Sequence, residues 1–293
     1  MEYVSIKIAG FKCRARTLNS KVAQKGEKAM IDEKAAENIR TYGVYQDSGA
    51  GRYKVLFEDL RLDGDKEAEY VIIAGCVQPE GMPNVFSALK NVFERLHINY
   101  TFLSKEYCCG WMPLGQPAVM AKNEEDIARS KELAEEFVQE NFRQAKSLGA
   151  KSIALFCAAC EPTYSNYKNA TDLEVISYTE LLDRYFDGGK LNLDADYYAG
   201  CYRFRKRITS NSLDLEPTLR VFNKIEGLKI NHLDNKKCCY IPPHLETLVQ
   251  DIKSKTAINI CTGCHYNLQK TLKNKGEYQF KMLPEIVWES IQE

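Results

Sequence analysis

Ten of the eleven cysteines in this 293-residue chain fall into two sets of five that share one order: a single cysteine, an adjacent pair, then Cys-x-x-Cys. The first set is Cys76, Cys108-Cys109 and Cys157-Ala-Ala-Cys160. The second is Cys201, Cys238-Cys239 and Cys261-Thr-Gly-Cys264. Only Cys13 stands outside. The flanks repeat as well. Tyr70–Cys76 and Tyr197–Cys201 both end in Ala-Gly-Cys, Leu96–Tyr100 matches Leu228–His232, and Ser152–Phe156 matches Thr256–Ile260. A further apolar run follows each Cys-x-x-Cys, at Leu173–Ser177 and Tyr278–Met282. Such self-similarity means two copies of one structural unit over roughly residues 68–293.

Each copy alternates short apolar runs with helical patterns. Val71–Ala74, Ile98–Leu103, Ile153–Phe156 and Val175–Ser177 read as strands. Pro83–Leu96 reads as a helix, with Val85, Leu89, Val92, Phe93 and Leu96 at helical spacing and Pro83 in its first turn. Asn123–Leu148 is a longer helical pattern with Asn123 as its cap. Alternating strands and helices predict parallel βαβ units with right-handed crossovers. The copies differ in one place: 47 residues separate Cys109 from Cys157, but 21 separate Cys239 from Cys261, so the first carries extra helix around 123–147.

The first 67 residues lack the repeat. Tyr3–Ile8 and Tyr53–Phe57 read as strands, and Ile31–Tyr42 as a helix stopped by Gly43. Gly49-Ala-Gly51 reads as a turn and does not match a phosphate loop. Cys13, in an apparent strand, reads as a small buried hydrophobe. The expected fold class is α/β: two pseudo-symmetric Rossmann-like cysteine-rich domains with parallel sheets, at 68–190 and 191–293, behind a small α+β extension at 1–67. In this layout the single cysteines and the Cys-x-x-Cys motifs follow strands directly, and the adjacent pairs lie just beyond one. The carboxyl ends of parallel strands share one sheet edge, so each set can converge on one point.

The start, MEYVSIKIAG, has no charged segment followed by an apolar one, and no stretch approaches the ~18 apolar residues of a membrane span. The chain is therefore expected to be soluble and cytoplasmic, where structural disulfides are rare. Its 40 basic and 40 acidic residues balance to zero, which excludes a polybasic nucleic-acid or membrane binder at the whole-chain level. Metal-binding or redox-active thiolates follow. Four thiolates suffice for tetrahedral zinc or a cubane iron–sulfur cluster. A fifth bridges two irons in an unusual cluster, acts as a redox thiol beside a metal, or is a bystander. Adjacent cysteines point apart, which suits a cluster several ångströms wide better than a single zinc ion. Thiolates at this density favour iron–sulfur chemistry over hard cations. Structural zinc in one repeat is the alternative.

Two copies of C…CC(G)…CxxC resemble the tandem cysteine-rich CCG domains in the catalytic subunit of heterodisulfide reductase, over about residues 68–293. Related domains occur in lactate-utilisation and glycolate-oxidase iron–sulfur subunits and in thiol:fumarate reductase. The resemblance implies a non-cubane [4Fe-4S] cluster on each set, with one cysteine bridging irons. Cys76, Cys108, Cys109, Cys157 and Cys160 would hold one. Cys201, Cys238, Cys239, Cys261 and Cys264 would hold the other. It also implies reduction of a small-molecule disulfide, such as the coenzyme M–coenzyme B heterodisulfide, or the reverse thiol oxidation, by one-electron steps. The chain has neither a C-x₂-C-x₂-C-x₃-C-P run nor a G-x-G-x-x-G loop. A partner protein with cubane clusters or flavin is therefore expected to supply electrons. Two other functions fit the same cysteines: an electron-transfer component of a lactate- or glycolate-type oxidase complex, and a zinc-stapled scaffold without enzymatic activity.

The pattern departs from the family in places. Gly110 follows the first pair, but Tyr240 follows the second, where a left-handed turn or close ligand approach would want glycine. Relatives often have histidine after the cysteine matching Cys201; Tyr202 stands here. Arg205, within Arg203–Arg207, matches an arginine common in that loop and is placed to offset cluster charge or bind an anionic group; the bland reading is a solvated helix start. Trp111, Met112 and Pro113, and in the second copy Tyr240, Pro242 and Pro243, wall a substrate pocket or simply pack a rigid loop. His265 follows Cys264 and is a candidate donor to a cluster sulfur or proton shuttle, with an exposed surface histidine as the expectation. His97, His232 and His244 carry no signal. Glu124–Glu140 reads as an amphipathic surface helix. The catalytic candidates are thus Arg205, Trp111, Tyr240 and His265.

Overall fold

The apolar runs of both repeats become parallel strands. The computed structural model describes residues 31–200, 215–234, 236–272 and 278–292. Tyr3–Ile8, Cys13, Cys201, Tyr202 and Arg203–Arg207, with Arg205, lie outside these residues.

In chain order the first part comprises α1 (Glu33–Tyr42), α2 (Ala50–Tyr53) continued by a π-helical turn at Lys54–Asp59, β1 (Tyr70–Ile73), α3 (Gln78–Gly81), α4 (Pro83–Arg95), β2 (Tyr100–Phe102), a π-helical turn at Trp111–Gly115, α5 (Gln116–Ala121), α6 (Glu124–Ser147), β3 (Ser152–Leu155), α7 (Glu161–Tyr167), β4 (Glu174–Ser177) and α8 (Tyr178–Tyr185). Then come β5 (Gly189–Tyr198), α9 (Glu216–Asn223), β6 (Ile225–His232), α10 (Pro242–Asp251), β7 (Thr256–Asn259), α11 (Thr262–Leu272), β8 (Gln279–Met282) and α12 (Leu283–Ile291).

The strands form two four-stranded sheets, ordered β2-β1-β3-β4 and β6-β5-β7-β8, with every pairing parallel. The duplication in sequence is thus a duplication of topology, and the fold is α/β as expected. β1, β3 and β7 are buried at every position, as parallel strands covered on both faces must be. Pro83 opens α4, which turns Val85, Phe86, Leu89, Val92 and Phe93 onto the first sheet. Asn123 caps α6 by accepting from the Glu125 and Asp126 N–H groups. α6 buries Leu133, Phe137, Val138 and Phe142 and supplies the extra length of the first repeat; the shorter α10 stands in its place in the second.

One apolar core runs through both repeats. Ala154, Phe156, Tyr178 and Leu181 pack in one cluster with Ala199, Ile258, Ile260, Met282 and Ile286. Asn84 of α4 donates to Glu285 of α12 at 2.9 Å across the same junction. Among the described residues no helix is long and apolar enough to cross a membrane.

The region before β1 differs from expectation. Tyr53–Phe57 is helical, not a strand, and Ala50 and Gly51 open that helix instead of making a turn. Five residues are too few to separate a period of two from one of 3.6, and burial of Arg52 and Leu56 decides the outcome. α1 ends at Gly43 in the left-handed conformation, as the sequence predicts.

Asp196 of β5 is fully buried and ties the second sheet to the turn before β7. It accepts from the Lys253 N–H (3.0 Å), the Ser254 N–H (2.6 Å), the Ser254 hydroxyl (2.7 Å) and the Asn231 amide. Asp196→Ala strands those donors and is expected to lower stability by about 3 kcal/mol in urea unfolding, with Asp196→Asn losing less.

Candidate metal centre

The first cysteine set is assembled by the ends of β1 and β3. Beyond β1, Gly75 has φ +93°, and a Cβ there would lie 2.2 Å from the Gln78 Oε1 and 2.9 Å from the Cys157 Cβ. Only glycine lets the Cys76 loop come this close to the first Cys-x-x-Cys. The Phe156 N–H donates to the Ile73 carbonyl at 2.9 Å, which sets Cys157 level with that loop. The Cys160 N–H donates to the Cys157 carbonyl at 2.8 Å, and Cys160 leads into α7.

The adjacent pair is held by α6. Asn141, wholly buried, accepts from the Tyr107 N–H at 2.8 Å and donates to the Tyr107 carbonyl and the Tyr164 hydroxyl, each at 2.7 Å. The next N–H, that of Cys108, donates to the Gly43 carbonyl at 2.7 Å. α1 buries Ala35, Ala36 and Ile39 in one cluster with Cys76 and Cys108. The region before β1 is therefore a wall of the site.

All five thiols are 3–8% exposed. They meet as a chain of sulfur contacts, Cys76–Cys108–Cys109–Cys160–Cys157. Cys109 is the acceptor at its centre. Hydrogen bonds from Cys108 and Cys160, the Trp111 N–H and the Thr163 hydroxyl hold its pKa well below the usual thiol value, against its burial. Cys108 and Cys160 are pushed up, chiefly by bonding to Cys109. An extended run of buried soft donors fits a multi-atom iron–sulfur group.

Cys109 also borders an open cleft of about 230 Å³, lined by Gly110, Trp111, Lys131, Thr163 and Tyr167 among others. Gly110 has φ +75°. The Trp111 ring lies against Gly115, where a Cβ would be 2.8 Å away. Met112 and Pro113 do not line the cleft.

The four described cysteines of the second set, Cys238, Cys239, Cys261 and Cys264, are supported in a similar way. Gly200 has φ +99°, and a Cβ there would sit 3.2 Å from the Cys261 Cβ and 3.3 Å from the Cys264 sulfur. The Tyr198 hydroxyl donates to the Lys237 carbonyl at 2.6 Å, and the Asn267 amide donates to the Cys239 carbonyl, which fixes the second pair. The Cys238 N–H donates to Nδ1 of His244 at 3.1 Å, so that nitrogen is an acceptor. Tyr240 is 61% exposed and, unlike Gly110, is not left-handed. Its hydroxyl reaches the Gly263 carbonyl at 3.4 Å. Burial of that end, with Cys239, Cys261, Cys264 and Cys238 nearby, raises its pKa. Pro242 and Pro243 are exposed at the start of α10.

Residues 70–163 match the family model of the cysteine-rich domain named CCG. Over this stretch the chain is similar to a CCG domain. Domains of this family are typical of oxidoreductase-type proteins and point to a metal- or iron–sulfur-binding redox function. The fold is similar to that in the crystal structure of a hypothetical protein from Helicobacter pylori, with a TM-score of 0.56 and 14% identity over 91% of this chain and 55% of that one. The chain thus spans about half the length of that protein. Comparison with curated proteins gives no match.

Three supports of the CCG domain carry no local sequence signal. Glu106 is buried and accepts from the Ala74 and Gly75 N–H groups, each at 2.7 Å, and from Arg52 at 2.9 Å. It pins the loop that leads to Cys76. Burial pushes its carboxyl up, while Arg52 and those N–H groups pull it back. Arg52 is 54 residues away in sequence, and Asn141 is 34 from Tyr107. His244 read as featureless yet holds the second pair. His265 is also corrected: it is 2% exposed rather than on the surface, because α11 turns it inward with Leu268 and Leu272. Its Nδ1 has no hydrogen-bond partner among the described residues, and burial lowers its pKa to about 4.

Asn141→Leu removes both bonds to Tyr107. The expected outcome is a stability loss of about 3 kcal/mol in urea unfolding, accompanied by lower metal content.

Proposed function

We propose that the chain is an iron–sulfur oxidoreductase component that reduces a small-molecule disulfide, or oxidises the corresponding thiols, by one-electron steps, in the manner of the catalytic subunit of heterodisulfide reductase. The observation that carries this reading is the position of Cys109, at the centre of five buried sulfurs and also in the wall of an open cleft. Cys76, Cys108, Cys109, Cys157 and Cys160 would hold one non-cubane [4Fe-4S] group, and Cys201, Cys238, Cys239, Cys261 and Cys264 a second. Such groups, when bound, supply electrons singly.

The residues around them bind, orient and exclude water. The Trp111 N–H and the Thr163 hydroxyl fix the sulfur of Cys109. Gly110 has no side chain, so it leaves that sulfur approachable from the cleft. The Trp111 ring offers an apolar wall, and Lys131 offers a cation for an acidic substituent. At the second pair Tyr240 stands where Gly110 would be, and its hydroxyl spans to Gly263. This favours substrate approach at the first set. An electron-donating partner with cubane clusters or flavin completes the reading.

Protein purified without oxygen is expected to carry roughly eight iron and eight sulfide per chain, and Cys109→Ala about half of each. Adding a disulfide such as the coenzyme M–coenzyme B heterodisulfide should change the EPR spectrum. Zinc with neither iron nor sulfide overturns the reading. Trp111→Ala is expected to keep the metal and raise the disulfide concentration for half-maximal change about tenfold.

A further inference from the structure

The two Cys-x-x-Cys turns face each other across the junction of the repeats, and one side chain touches both. Gln78 opens α3, two residues after Cys76, and is 8% exposed. Its Oε1 accepts from the Val77 N–H at 3.1 Å. A backbone N–H can only donate, so this contact fixes which end of the amide is which. The amino group is then directed the other way. It donates to the sulfur of Cys157 at 3.1 Å and to the hydroxyl of Thr262 at 3.3 Å. Cys157 belongs to the first set, whereas Thr262 lies between Cys261 and Cys264, 184 residues from Gln78. Gly75 makes the room, since a Cβ there would collide with the Gln78 amide. Tyr178 fastens the same junction: its hydroxyl donates to the Ile260 carbonyl at 3.1 Å, and its ring lies 5.0 Å from that of Phe156.

We propose that Gln78 is a positioning residue that donates an N–H to the Cys157 sulfur, tunes the group held by the first cysteine set, and keys that set to the second through Thr262. The inference rests on the iron–sulfur reading above. A buried amide with both ends engaged is costly to misplace, so its geometry is rigid. An N–H bond to a ligand sulfur draws electron density from it and stabilises the reduced state, which raises the reduction potential. Because the same amino group is shared with Thr262, a change in the second Cys-x-x-Cys turn alters the donation to Cys157.

The test compares wild-type protein with Gln78→Met, which keeps length and volume but cannot donate, and with Thr262→Val, which removes only the second acceptor. Iron and sulfide are quantified, and potentiometric EPR is recorded without substrate. Gln78→Met is expected to keep wild-type iron and sulfide, lower the midpoint of one centre and move its g-values. Thr262→Val should move the same signal by less. Unchanged midpoints and g-values in both variants overturn the proposal. If Gln78→Met fails to fold or loses its iron, Thr262→Val decides alone, by the same criterion. If wild-type protein holds zinc and no iron, the functional reading falls, and Gln78 is judged separately in cobalt-substituted protein. There a shift of the sulfur-to-cobalt charge-transfer band in the variants supports its role, and an unmoved band overturns it.

Discussion

Burying five sulfurs in mutual contact is the constraint on which the rest of the first repeat depends. Ionised thiols at such spacing repel, and burial removes the water that would soften the repulsion. The structure meets this with neutral donors: the Trp111 N–H and Thr163 hydroxyl on Cys109, and the Gln78 amide on Cys157. The buried cation Arg52 is committed to Glu106, and that pair serves geometry by fixing the loop before Cys76. Neutral donors stabilise a sulfur without locking it into one charge state.

The repeat built the scaffold twice and then let its copies diverge. Both sheets have the same strand order, and both bring a left-handed glycine, Gly75 or Gly200, against a Cys-x-x-Cys turn. The pairs are held by different means: Asn141 clamps Tyr107 in the first, while Tyr198, Asn267 and His244 serve the second. Only the first adds α6 between the pair and the Cys-x-x-Cys. With the π-helical turn at Trp111–Gly115, that helix walls the cleft beside Cys109. In the second, Tyr240 lies beside the cysteines and bonds to their turn. One plan thus carries different surroundings at the two adjacent cysteine pairs.

The strands, their parallel βαβ linkage and the placing of cysteines at strand ends were readable because they depend on local runs repeated twice, such as Ser152–Phe156 and Thr256–Ile260. Asn123 and Gly43 were readable for the same reason, since capping is settled within a few residues. Contacts between distant residues were not. Nothing near Arg52 announces Glu106, nothing near Tyr107 announces Asn141, and Gln78 gains meaning only once Thr262 is folded against it. His265 misled because a lone histidine reads by default as a surface residue, whereas α11 begins at Thr262 and makes it an inward helical position. Tyr53–Phe57 misled because a five-residue, mostly apolar run fits a helix as well as a strand, and here it continues the helix that begins at Ala50.

The segment before β1 belongs to the chemistry more than its lack of cysteines in the repeat suggests. The CCG match begins at residue 70, so α1 and Gly43 lie outside it. Yet the N–H of Cys108, beside a buried sulfur, finds its acceptor in the Gly43 carbonyl. Without that acceptor a buried N–H would stand unsatisfied, at a cost of about 1–3 kcal/mol, in the loop that must hold two sulfurs still. Gly43 itself is forced: its φ is +77°, and a Cβ there would lie 2.3 Å from the Glu106 carbonyl oxygen. Its carbonyl therefore meets Cys108 at the point where Glu106 turns to brace Cys76. The same few residues close the helix α1, orient the adjacent pair and anchor the loop of the single cysteine. The working unit of the first set is accordingly the CCG domain together with α1 and α2.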